Sequence, residues 1–285
     1  MDTRGEGRRA GAVVALKPLE LAKSRLVGLA DPLRQRLAWT MAVDTLSALS
    51  AAVDRVVVVG DQPALQSRLR RAGLDVDVLA EPFPLGMNGA LSLGADALLD
   101  RGCAVVLACV GDLPALRSAS VARVLAAAQP GRRCFLADAS AVGTTMLVAR
   151  GTALEPHFQG ASADAHRTSG AVPLTDEMLG APGPDAVGPD ARLDVDTETD
   201  LIEASRLGLG AATAALLDPA TGLPGRYVSV TVTEEGGGSA RTVIASTGHR
   251  LVLPLSALQD GVRHARPGQR LHAVATRDAV LAAWL

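Results

Sequence analysis

Three groups of charged side chains have the types and spacing to handle a phosphorylated substrate together with a hard cation. The run Val105 to Pro114, VVLACVGDLP, is apolar, too short for a helix, and stops abruptly at an acidic residue with a proline close behind. That pattern puts Asp112 at the carboxyl end of a buried strand, where α/β sheets open onto a ligand crevice. In LDVDTETDL, the alternation of Asp194, Val195 and Asp196 in an extended chain turns both carboxylates one way and the valine the other. Thr197 then fits the cap of a helix, with Asp200 at its third position. The third group is Lys17, Lys23 and Arg25 in ALKPLELAKSRL, a loop that follows the first apolar strand. Its three fixed cations suit a polyphosphate, and with Asp112, Asp194 and Asp196 they make the inventory of a site where Mg²⁺ bridges protein and phosphate oxygens. Plainer readings stand beside these: a basic cluster as solvated loop charge, and the acidic pair as a solvated capping turn.

The elements that must position these groups follow from periodicity. Ala12 to Leu16 reads as a short strand, Asp31-Pro32 as the start of a helix reaching about Ala52, and RVVVVG at 55 to 60 as a buried strand. Helical spacing over Leu65 to Ala72, a strand VDVLA at 76 to 80, a helix near Asn88 to Leu99 and a strand at 104 to 110 continue the alternation. Strand-helix alternation predicts an α/β fold: a three-layer, Rossmann-like domain with a mostly parallel sheet. RCFLAD and TTMLVA read as two closely spaced strands, and residues 178–191 as a proline-glycine loop leading into a strand at Asp194. A helix from Glu198 to Leu207 ends at Gly208, and a further helix or turn reaches Leu217. We expect a main domain over 1–217, a linker at 218–225, and a small antiparallel β module, sheet or barrel, over 226–285 that closes with a short helix ending at Trp284.

Composition narrows the function classes. A chain of 285 residues can bury one ordinary core plus a small appendage. A formal net charge of -2 offers no basic field for a nucleic-acid backbone, and six aromatic residues leave little for stacking bases, so nucleic acid is not an expected partner. Cys103, Cys109 and Cys134 sit in apolar stretches without metal-ligand spacing and read as reduced core residues, which points to the cytoplasm. No run reaches membrane-spanning length, and the charged N-terminus MDTRGEGRR lacks the features of a secretory signal.

Six stretches in order, ALKPLELAKSRL, EPFPLGMNGAL, VGDLPAL, GTTMLVA, HFQGASADAHRTSGA and LDVDTETDL, carry a resemblance. Over roughly residues 11–210 the chain resembles the 2-phospho-L-lactate or phosphoenolpyruvate guanylyltransferases that build the deazaflavin coenzyme F-420, within the sugar-phosphate and molybdopterin nucleotidyltransferases. The resemblance implies transfer of GMP from GTP to a small phosphorylated three-carbon acid with release of pyrophosphate, with Mg²⁺ as cofactor, and it is compatible with a homodimer. It implies that Lys17, Lys23 and Arg25 hold the triphosphate, with Leu16 beside the nucleotide. Gly86, Met87 and Asn88 would lie against the guanine, Glu81 against base or ribose, and Asp112, Asp194 and Asp196 around the metal, Asp112 also facing the nucleotide. Thr144, Gly160 and Ser162 would bind the acceptor, as hydroxyl and backbone N–H donors can. His166 is either a further acceptor contact or a cap on its own helix. This chain departs from the family pattern at Met87, at Thr145, and where it reads Phe158-Gln159-Gly160 in place of Phe-Gly.

Two other readings remain open on the residues. A metal-dependent glycosyltransferase also uses an Asp-x-Asp element, the form of Asp194-Val195-Asp196, although a basic loop suited to departing pyrophosphate is not part of its chemistry. A nucleotide-sensing module would keep the fold without catalysis.

Overall fold

The valine-rich runs become the centre of a seven-stranded sheet. The computed structural model describes residues 9–18, 31–61, 64–180, 188–217, 226–235, 239–258, 264–275 and 279–284. β1 (Ala10–Ala15) pairs in parallel with β2 (Arg55–Val59), which pairs in parallel with β3 (Asp77–Leu79). On its other side β1 pairs in parallel with β4 (Val105–Cys109). β6 (Thr144–Arg150) runs antiparallel to both β4 and β5 (Arg133–Ala137), and β7 (Val172–Pro173) lies parallel to β5. The order β3-β2-β1-β4-β6-β5-β7 is therefore mostly parallel with one reversed strand. Strands after β1 build outward on one side and β4 starts the other, so the loops leaving β1 and β4 diverge and open a crevice at their carboxyl ends.

Helices α1 (Asp31–Ser50), α2 (Leu65–Arg71), α3 (Gly86–Asp100), α4 (Ser118–Ala127) and α5 (Ser162–Thr168) alternate with these strands. Val13, Val57, Val59, Val106 and Ala108 share a core with Leu91, Ala95 and Leu98 of α3. Gly94 permits this approach, since a Cβ there would lie 2.3 Å from a methyl of Val13 and 3.0 Å from one of Val59. The alternate residues Ala12, Val14, Val56, Val58 and Leu107 are buried as well, so both faces of the sheet are covered, as parallel strands require. Cys103, Cys109 and Cys134 are buried free thiols, and burial raises the first two, keeping them protonated. Among the described residues no helix is long and apolar enough to cross a membrane.

The chain divides into two compact units, Met1–Leu19 with Met41–Asp194, and Glu20–Thr40 with Val195–Leu285. The second unit contains α6 (Glu198–Leu207), α7 (Ala211–Leu217) and a five-stranded sheet. Its strands are β8 (Arg226–Val232), β9 (Ala240–Ala245), β10 (Arg250–Pro254), β11 (Arg270–Ala275) and β12 (Val280–Trp284), in the order β10-β9-β8-β11-β12. Parallel bridges Val252↔Ala279 and Leu258↔Ala283 join the two ends of that order, curling the sheet toward a Greek-key barrel around Val230, Val243, Leu253, Leu271 and Ala273. The linker expected at 218–225 lies outside the described residues.

Two local expectations are corrected. The closing segment is a strand, not a helix: Val280–Trp284 pairs with β11 through His272↔Trp284 and Ala273↔Ala283, burying Val280 and Ala283. Leucine and alanine favour a helix by only tenths of a kcal/mol per residue, roughly, which a short segment cannot set against pairing and burial. The segment at Asp194 belongs to no strand, although the anticipated alternation holds, with Val195 fully buried between half-buried Asp194 and Asp196.

Candidate active site

Asp112, Asp194 and Asp196 converge. Each offers one carboxylate oxygen, and the three oxygens lie within 4.8 Å of one another. Three half-buried carboxylates this close repel, and a hard divalent cation is the partner that oxygen ligands of this kind favour. The donor set therefore fits a metal ion.

The chain on either side of Asp112 is tied down. Val110 donates its N–H to the Thr145 carbonyl at 3.0 Å, and Leu113 donates to Thr45 Oγ1 at 3.0 Å. Thr45, fully buried in α1, donates its hydroxyl to the Met41 carbonyl at 2.9 Å, so its oxygen is turned to accept from the Asp112 loop. The approach to Asp194 is anchored by Thr145, whose hydroxyl donates to the Ala191 carbonyl at 2.7 Å, and by Ala139 N–H donating to the Arg192 carbonyl at 2.8 Å. Beyond Asp196 the anticipated capping box forms: Thr197 Oγ1 accepts from Asp200 N–H, and Asp200 Oδ2 accepts from the N–H groups of Thr197 and Asp196 at 2.7 and 3.1 Å. Asp200 is thus occupied by the cap.

Leu16 and Lys17 follow β1, with Leu16 N–H donating to the Val59 carbonyl and Lys17 exposed. A Cβ on Gly111 would lie 2.9 Å from Leu16, so the loops after β1 and β4 touch beside Asp112. Lys23 and Arg25 lie outside the described residues. Glu81 accepts the Leu85 N–H at 3.1 Å and so fixes the turn leading into α3, whose first residues are Gly86, Met87 and Asn88. Asn88 turns its amide to Phe158, accepting its N–H at 2.8 Å and donating to its carbonyl at 3.1 Å; one N–H and one lone pair stay available.

Thr144 and Ser162, both buried, meet His166, and Ser162 N–H donates to the Gly160 carbonyl at 2.8 Å. The turn before Thr144 is shaped by Asp138, which accepts from the N–H groups of Val142 and Gly143, and Ala163 N–H donates to the Val142 carbonyl, joining α5 to that turn. His166 is fully buried, with Nδ1 3.0 Å from Thr144 Oγ1 and Nε2 accepting the His157 N–H at 2.9 Å. Desolvation, followed by repulsion from His157, pushes its pKa down to about 4 against a hydrogen bond to the Ser162 backbone that raises it. The loop from Glu155 to Gly160 is pinned three times, by Arg133 on Glu155, His166 on His157 and Asn88 on Phe158. Gln159 there has φ 92° and Gly160 φ 58°, so both adjacent residues adopt a conformation that favours glycine.

Thr45 and Asp138 carry no signal in the sequence, and Thr145 stands out only as a departure from the family pattern, because a threonine inside a helix or strand and an aspartate before a turn are commonplace. Their partners lie elsewhere in the chain or in backbone groups.

Residues 7–172 match the MobA-like NTP transferase domain, the class to which this sheet and acidic crevice correspond. The phosphoenolpyruvate guanylyltransferase of Salinispora arenicola is 42% identical over 222 residues, covering 76% of this chain and 97% of that protein. The phosphoenolpyruvate guanylyltransferase of Mycolicibacterium smegmatis is 36% identical over 212 residues, covering 73% and 90%. A solved structure described as a nucleotide-diphospho-sugar transferase, from Desulfovibrio desulfuricans G20, superposes with a TM-score of 0.53 at 16% identity over 72% of this chain and 92% of its own, a likeness of fold alone. The chain belongs to the phosphoenolpyruvate guanylyltransferase family of the MobA-like NTP transferases.

Proposed function

We propose that the protein transfers GMP from GTP to phosphoenolpyruvate in the biosynthesis of the deazaflavin coenzyme F-420. The observation that carries the reading is the convergence of Asp112, Asp194 and Asp196 beside the loop that follows β1. An oxygen of the acceptor phosphate forms a bond to the α-phosphorus of GTP while the bond from that phosphorus to the β-phosphate oxygen breaks, and pyrophosphate leaves. A phosphate monoester with a second pKa near 6 is already largely dianionic at neutral pH, so no general base is needed. The work of the chain is positioning and charge compensation.

Lys17, Lys23 and Arg25 offset the charge that builds on the leaving pyrophosphate. Thr144, Gly160 and Ser162 hold the acceptor, while Gly86, Met87 and Asn88 face the guanine, with Glu81 supporting that turn. Asp112, Asp194 and Asp196 would hold Mg²⁺, which when bound supplies charge neutralisation at the phosphates.

The test is pyrophosphate release by the full chain with GTP and Mg²⁺, comparing phosphoenolpyruvate, 2-phospho-L-lactate and 3-phosphoglycerate with a no-acceptor control. Release with phosphoenolpyruvate alone is expected. Release with another acceptor alone reassigns the substrate, and silence with all three, despite GTP binding, overturns the reading.

A further inference from the structure

We propose that His166 is a positioning residue that locks the Thr144 hydroxyl as a hydrogen-bond donor to an anionic oxygen of the acceptor; this rests on the reading of Thr144 as an acceptor contact. Nε2 receives the His157 N–H at 2.9 Å, and only a lone pair can meet a backbone donor. Burial keeps the ring neutral at ordinary pH, so its single proton sits on Nδ1. Nδ1 lies 3.0 Å from Thr144 Oγ1 and also donates to the Ser162 backbone, so toward the hydroxyl the ring offers a proton and no lone pair. The hydroxyl accepts from the ring and has no lone pair there to donate to, so its own proton is directed away from His166.

The ring cannot easily turn to the other arrangement. It stacks on Phe135 at a centroid distance of 5.7 Å and meets the edge of Phe158 at 5.1 Å. A freely rotating hydroxyl greets donors and acceptors alike. A hydroxyl held as a donor favours an acceptor oxygen without a proton, which is what a phosphate or carboxylate presents. The same ring, through Nε2, fastens the loop that carries Gly160 and leads to Ser162, so one side chain sets both halves of the acceptor contact.

The test combines ring spectroscopy with a double-mutant cycle. Nitrogen-15 spectra of the labelled wild-type chain should show His166 neutral, with a protonated Nδ1, between about pH 6 and 8. His166→Phe keeps the ring volume without the hydrogen bonds and should raise the KM for phosphoenolpyruvate about tenfold while leaving the KM for GTP unchanged. In a Thr144→Val background the same substitution should add only about threefold, the share that belongs to the loop held at His157, and His166→Asn, whose amide N–H stands near the place of Nδ1, should recover the share that belongs to Thr144. An equal increase in both backgrounds, or a ring protonated at Nε2, overturns the proposal. A wild-type chain that releases no pyrophosphate with any acceptor would overturn the guanylyltransferase reading instead, and the ring spectrum would then decide on His166.

Discussion

The side-chain amide of Asn88 grips the backbone of Phe158 at both its polar groups, accepting the N–H at 2.8 Å and donating to the carbonyl at 3.1 Å across 70 residues of chain. Through it, the first turn of α3, on the proposed guanine side, is coupled to the loop on the proposed acceptor side. Asn88→Ala leaves two backbone groups of the buried Phe158 without their partner, at about 1 kcal/mol each, and should lower Tm by several degrees. Steady-state kinetics should show the acceptor KM rising. A rise in the GTP KM alone would mean that the amide serves the base rather than the loop.

The three clustered carboxylates should behave as a site held together by a cation rather than as a structural feature. Asp112→Asn and Asp196→Asn each remove one of the three clustered carboxylates. Mg²⁺ should raise the wild-type Tm and leave that of the variants nearly unchanged. Turnover should fall on the order of a hundredfold or more. Near wild-type pyrophosphate release from both variants would remove these residues from the metal site.

Acid should destabilise the fold partly through His166. Its folded-state pKa, pushed down to about 4, lies below the ordinary 6.5, so between those values the unfolded chain binds the proton that the folded chain refuses. Stability is therefore complete above pH 6.5, is lost as pH falls toward 4, and levels off below, a span worth a few kcal/mol at roughly 1.4 kcal/mol per unit. Denaturant titrations of His166→Phe across this range should show a correspondingly flatter profile. An unchanged slope would assign the acid sensitivity to other groups.

Gln159 holds φ 92°, where a side chain is strained and glycine is not. Gln159→Gly should relieve about 1–2 kcal/mol of strain against a glycine entropy cost of roughly half that, for a net rise in Tm of about two degrees. Calorimetry checks it. A fall in Tm would mean that contacts of the glutamine side chain outweigh the backbone strain.

What the sequence determined by itself was local. The apolar run stopping at Asp112, the valine between Asp194 and Asp196, the Thr197–Asp200 capping box and the end of α6 at Leu207 each depend on neighbours a few residues apart, whose periodicity and hydrogen-bonding chemistry are written in the order of residues. Tertiary structure decided the rest. It reversed β6 within a parallel sheet, drew Val280–Trp284 into a strand by pairing it with β11, and set Thr45 under Leu113, Asn88 against Phe158 and His166 behind Thr144. These partners stand 22 to 70 residues apart, except in the strand pairing, where the nearest partners are closer. A hydroxyl, an amide or an imidazole has the same local signature whether it faces water or a distant backbone group. Which partner it meets is settled only when burial removes the water that would otherwise satisfy it.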